Sequence, residues 1–205
     1  MTVLKATKPN VITAAQTVKK GGLVVYPTET VYGLGCDPLN VQAVNRILEV
    51  KGARNKPLPV LAASIADAKK VAFLSPNGKK LAAKFWPGPL TMVFPKKPAL
   101  PDAVTFGWDS VGLRIPDNDV ALQLIGLCGG LLVGSSANRS GEKPPRSVQE
   151  LSAELKAMVN VVLDGGPTVQ GMPSTVVDLT QEKPRILRDG PVSLKAIFDA
   201  LALGD

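Results

Sequence analysis

The 205-residue sequence contains no histidine. This excludes a serine–histidine catalytic triad and any histidine-ligated metal centre. Cysteine is scarce: Cys36 and Cys128 lie far apart and lack metal-ligand spacing, so neither a disulfide framework nor a zinc site is expected. Aromatic residues make up 4% of the chain, few for the stacking platforms of single-strand RNA readers. No apolar run approaches the ~20 residues of a membrane-spanning helix. The N-terminal MTVLKATKPN lacks the apolar core of a signal peptide, and a soluble cytosolic protein is the expectation. No G-x-G-x-x-G follows a predicted strand and no G-x-x-x-x-G-K-[ST] occurs. Any nucleotide bound here is held without a standard phosphate loop.

What is present describes a folded chain. Hydrophobic residues are 45% of the total, ordinary for a globular protein, and the length suits one domain over residues 1–205. Nineteen glycines and eighteen prolines gather in the connections, which are then long and shaped, as binding loops are. The net charge of +7 favours anionic partners, nucleotide phosphates or nucleic acid, without choosing between them.

Apolar spacing predicts a helix over residues 11–20, stopped by Gly21-Gly22, and a second helix capped by Asn40. Short helices follow from Ser64 and Ser75, then over 120–127 and 148–158, with a closing helix capped by Ser193. Strands are predicted at 23–26, 58–62, 90–94, 111–115, 131–134, 161–163 and 175–179. Strands and helices mix without strict alternation. The expected fold is therefore α/β or α+β, a twisted mixed β-sheet flanked by helices.

Five segments, with a short sixth, carry polar chemistry at strand ends. YPTETVYGLG, residues 26–35, places two threonines, one acid and two glycines after a buried strand. Their hydroxyls suit either a self-capped loop or a ligand. KGARNKPLPV, residues 51–60, holds Lys51, Arg54 and Lys56 just after a helix, where cations gain from the dipole or clamp phosphates. In SVGLRIPDN, residues 110–118, Arg114 lies on the strand face opposite Val111, Leu113 and Ile115, turned either to solvent or to a carboxylate or phosphate. VGSSANRSGEKPPRSV, residues 133–148, leaves a buried strand through small hydroxylated residues, the setting in which open α/β sheets bind ligands. GGPTVQGMPSTVVDL, residues 165–179, has the same character, and ILRDG, residues 186–190, adds Arg188. Together these loops are expected to converge on one cleft.

With WPGPLT at residues 86–91, these motifs resemble, in order and over about residues 10–192, the YrdC-like family of threonylcarbamoyl-AMP synthases. The resemblance implies a YrdC-like twisted sheet with a large basic concave cavity. It implies nucleotidyl transfer in which L-threonine, bicarbonate and ATP, with Mg²⁺, give L-threonylcarbamoyladenylate, pyrophosphate and water. That product feeds N6-threonylcarbamoyladenosine at position 37 of tRNA through a downstream threonylcarbamoyl transferase complex. It further implies that Thr30, Arg114, Gly134 and Ser174 hold the threonine. Lys51, Arg54, Lys56, Ser110, Ser136, Asn138 and Arg188 would serve ATP, with Lys51 and Arg54 catalytic, and no protein metal ligand is named. Two departures stand out: the arginine of the usual K-x-R falls one place later, at Arg54, and Leu61 occupies a position where some relatives carry histidine. No second domain of the kind that covers the site in some relatives is expected within residues 1–205.

Two alternatives accompany this reading. One is carbamoyl transfer to an adenylate, as in larger hydrogenase-maturation proteins. The other is a double-stranded RNA or ribosome-binding module that uses a basic surface, for which Lys69-Lys70, Lys79-Lys80 and Lys96-Lys97 are the candidate contacts.

Overall fold

A computed structural model describes residues 1–52 and 56–202. The first half of the chain forms β1 (Thr2–Lys5), α1 (Lys8–Lys19), β2 (Val24–Tyr26), β3 (Gly33–Gly35), α2 (Val41–Lys51), β4 (Val60–Ala62), α3 (Ile65–Val71) and α4 (Pro76–Phe85). Next come β5 (Leu90–Pro95), α5 (Asp102–Thr105), β6 (Ser110–Arg114), α6 (Asp119–Leu127), β7 (Leu131–Val133) and β8 (Ser135–Ser136). A 3₁₀ turn (Val148–Glu150), α7 (Ala153–Met158), β9 (Val161–Asp164), β10 (Thr175–Asp178), β11 (Arg185–Arg188) and α8 (Leu194–Ala202) complete it.

The mixed α/β class matches the expectation, but the strands form two sheets where the sequence predicts one. A five-stranded sheet runs β1-β9-β2-β3-β8, and a six-stranded sheet runs β11-β10-β5-β6-β4-β7. The two meet at Gly134. Before it, β7 pairs with β4; after it, β8 pairs with β3. Tyr26 fastens the junction, since its hydroxyl donates to the Val133 carbonyl at 3.0 Å, while the Val133 amide donates to Cys36 O at 2.9 Å.

Alternating side chains explain why the strands read as unbroken apolar runs. Val25 and Leu34 face a core shared with Val60, Leu90, Met92, Phe94 and Leu113. Their neighbours Val24 and Tyr26 face a second core, with Leu61, Leu132 and residues of α1 and α6. Both faces are thus buried. Asn40, Ser64, Ser75 and Asn118 each cap a helix by accepting a backbone N–H. The helix predicted over 148–158 is broken because Ser152 caps a new start by accepting from Leu155 N. No helix among the described residues is long and apolar enough to cross a membrane.

Candidate functional site

The segment after β2 folds on its own hydroxyls. Pro27 offers no ladder donor. Thr28 Oγ1 donates to Val31 O at 2.7 Å and accepts from the amides of Thr30 and Val31 at 3.2 and 3.3 Å. The Thr28 and Thr30 hydroxyls are 2.9 Å apart. Further on, the chain does not loop as YGLG suggests but forms β3. Its glycines make room for an aromatic ring: a Cβ on Gly33 or Gly35 would lie 2.8 Å from Tyr26. Tyr32 anchors the far side, donating to Gly166 O at 2.7 Å and accepting from Gly165 N at 3.1 Å.

Arg114, at the end of β6, is 5% exposed and not turned to solvent. Its Nη1 donates to Thr30 Oγ1 at 2.9 Å, and its Nη2 stands 3.8 Å from Glu29 Oε2. Burial lowers the guanidinium's hold on its proton and the Glu29 carboxylate partly restores it. Gly112 leaves space that the Thr91 methyl occupies, 3.2 Å from where a Cβ would stand. Thr91 belongs to β5, one step beyond the Met92–Leu113 pair, and its hydroxyl lies 2.8 Å from Ser174 Oγ. Arg188 joins this pair, donating from Nε to Ser174 O at 2.9 Å and from Nη2 to Ser174 Oγ at 3.1 Å. Arg114 of β6 with Thr30, and Thr91 of the paired strand β5 with Ser174 and Arg188, therefore form two bonded sets of hydroxyls and guanidinium groups on neighbouring strands.

Gly134 and Ser136 reach the same region from the junction of the sheets. Gly134 N donates to Pro59 O at 2.8 Å, and a Cβ there would meet Leu61 Cγ at 2.4 Å. Leu61 is in register with Arg114, so an apolar wall stands where some relatives are expected to carry histidine. Ser136 pairs with Gly33. Lys51 is 2% exposed, and its ammonium donates to the carbonyls of Ser136, at 2.7 Å, and Asn138. It braces the 136–140 loop as well as bringing positive charge beneath it. The Asn138 amide donates to Arg139 O and Glu142 O at 2.7 and 2.8 Å.

Other predicted residues stand apart. Ser110 opens β6, four residues before Arg114 and so about 13 Å away at ~3.3 Å per residue. It lines a shallow recess with Pro95, Trp108 and Thr180. Lys56 is exposed, and Arg54 lies outside the described residues. The sequence offers Glu29 and Tyr32 as polar groups of YPTETVYGLG, and Thr91 as the end of WPGPLT, without a role for any of them. The acid between two threonines was the one available signal.

The family model for the Sua5/YciO/YrdC domain, described as "Telomere recombination", matches residues 16–190. The chain belongs to this family. The threonylcarbamoyl-AMP synthase of Pyrococcus abyssi is 41% identical over 186 residues, covering 90% of this chain and 55% of that protein. The chain thus spans about half the length of that relative. A threonylcarbamoyl-AMP synthase of Halorhodospira halophila is 36% identical over 181 residues, with 86% of this chain and 88% of that one covered. Among solved structures, P. abyssi Sua5 complexed with L-threonine superposes with a TM-score of 0.94 at 37% identity, over 98% of this chain and 61% of that one.

Proposed function

We propose that this protein is an L-threonylcarbamoyladenylate synthase. It joins L-threonine, bicarbonate and ATP into L-threonylcarbamoyladenylate, with release of pyrophosphate and water. The observation that carries the reading is the 2.9 Å bond between Arg114 and Thr30, with Arg114 on the strand paired with β5, whose Thr91 meets Ser174 and Arg188, in a chain whose relatives bear that name. The L-threonine held by the P. abyssi structure supports an amino-acid pocket, which this reading assigns to the Thr30 end with Arg114, Gly134 and Ser174. Arg188, Lys51, Lys56, Ser136 and Asn138, with Arg54, serve ATP in this reading, and Ser110 does so only if the nucleotide extends along β6.

The threonine amine and bicarbonate give a carbamate. Its oxygen attacks the α-phosphorus and pyrophosphate departs with the bonding pair. Such a step depends on positioning and positive charge more than on a protein acid or base, which suits a chain without histidine. Mg²⁺ accompanies the triphosphate in this reading, held chiefly by phosphate oxygens and water. Residues 1–205 act as one catalytic domain of the cytoplasm, and the adenylate passes to a separate transferase complex that modifies tRNA. The lysine pairs proposed for RNA contact are partly engaged locally: Lys70 with Asp67, Lys96 with Asp102 and Lys97 with Lys69 O. Pyrophosphate release from ATP and bicarbonate, measured with and without L-threonine, tests the reading. Release should require threonine; release indifferent to it would count against the assignment.

A further inference from the structure

We propose that Glu29 is the ammonium subsite of the amino-acid pocket, the group by which the protein separates an α-amino acid from its α-hydroxy analogue. The proposal rests on the amino-acid-binding reading above. Glu29 is 7% exposed, and neither of its carboxylate oxygens has a hydrogen-bond partner among the described residues. Its charged neighbour, Arg114 Nη2, stands at 3.8 Å, close enough to attract but too far to donate. Arg114 Nε is likewise buried and lacks an acceptor. Folded proteins seldom leave buried charged atoms without hydrogen bonds, since each such vacancy is destabilising.

The surrounding backbone is fixed. Glu29 O accepts from Gln170 N at 2.9 Å, and Thr28 and Thr30 on either side are bonded to each other. The unfilled bonding capacity is therefore part of the site and not of a loose side chain. Among the described residues, one buried anion lacks donors, and the Nε of the buried cation beside it lacks an acceptor although its Nη1 is bonded to Thr30. The complement of that pair is a small zwitterion. In an α-amino acid the ammonium nitrogen and carboxylate carbon lie about 2.5 Å apart. That spacing is short enough for one molecule to face both groups with opposite charges. A simple amine would leave Arg114 Nε unmatched, and a phosphate would be repelled by Glu29. The ligand class is thus an amino acid with a free α-ammonium group.

The test is calorimetric binding of L-threonine and of its α-hydroxy analogue, in which a hydroxyl replaces the amine, to the wild type and to Glu29→Gln. The wild type should prefer threonine by about 100-fold, the scale of one charge-assisted hydrogen bond, and Glu29→Gln should reduce that preference to below about tenfold. If Glu29 served only as counter-ion to Arg114, both ligands would weaken alike, and an unchanged ratio overturns the proposal. Should Glu29→Gln not fold, Glu29→Asp takes its place: a preference reduced about tenfold supports the subsite, and an undiminished one overturns it. A folded wild type that binds neither ligand would instead overturn the amino-acid-binding reading itself.

Discussion

Arg114 and Thr30, 84 positions apart in the chain, are joined by a 2.9 Å hydrogen bond from guanidinium to hydroxyl. One belongs to a strand of the six-stranded sheet and the other to the turn that leaves β2 of the five-stranded sheet. Arg114→Lys keeps the charge and loses the planar fork. We expect it to raise KM for L-threonine about 10- to 100-fold in the pyrophosphate-release assay, the range of a lost hydrogen bond to a charged group.

Gly134→Ala should be destabilising although alanine is small. The added methyl would stand 2.4 Å from Leu61 Cγ, and overpacking of this kind costs about 1–3 kcal/mol. Shortening the neighbour relieves it, so Gly134→Ala with Leu61→Ala should lose less than the two single losses combined. Urea titration of the four proteins checks the sign of the coupling.

Lys51→Met preserves length and removes the ammonium that holds the Ser136 and Asn138 carbonyls. A loss of about 1.5–3 kcal/mol per removed charged bond is the upper expectation. The loss should be concentrated in the 136–140 loop. Amide exchange at Ser140, whose N–H donates to Lys51 O at 3.0 Å, reports the loosening directly.

Asp67 lies beneath its ordinary value of 3.8 because Lys70 and Ser64 donate to its carboxylate. A depressed carboxylate stabilises the fold above its unfolded pKa, and that contribution fades as pH falls through the folded value. Asp67→Asn should therefore melt below the wild type at pH 7, with the gap closing below about pH 4. Thermal melts across this range test it; a gap that widens in acid would contradict it.

Burial pushes the Cys128 thiol up to about 12. Little thiolate exists at neutral or mildly alkaline pH. Labelling by iodoacetamide at about pH 8 should be at least ~100-fold slower in the native protein than in denaturant, as followed by mass spectrometry.

The legible parts of the fold were those with local causes. Asn40, Ser64 and Ser75 cap helices where a small polar residue precedes an apolar stripe, and that needs no tertiary information. β3 was hidden because its glycines read as a turn, whereas the Tyr26 ring from a neighbouring strand requires them. β1 exposes most of its side chains and so shows no apolar alternation. β11 was read merely as an arginine before a turn, because its partner is β10. In the site, Arg114 could be placed on one face of a strand, but its burial depends on Glu29 and Thr30 arriving from the other sheet. For Lys51 the local pattern leaves a helix-end cation and a phosphate clamp both open and does not show its brace on the 136–140 loop, because its carbonyl acceptors lie 85 and 87 residues away. Ser110 precedes Arg114 by four residues on one strand, and that spacing alone sets them about 13 Å apart.

The single residue between β7 and β8 carries a consequence for how this molecule comes apart. Gly134 leaves no slack for either sheet to peel away while the other persists, since the preceding strand is committed to one and the following strand to the other. Heat or denaturant should dissolve both in one transition, and fragments severed at this glycine should each fail to acquire tertiary order alone.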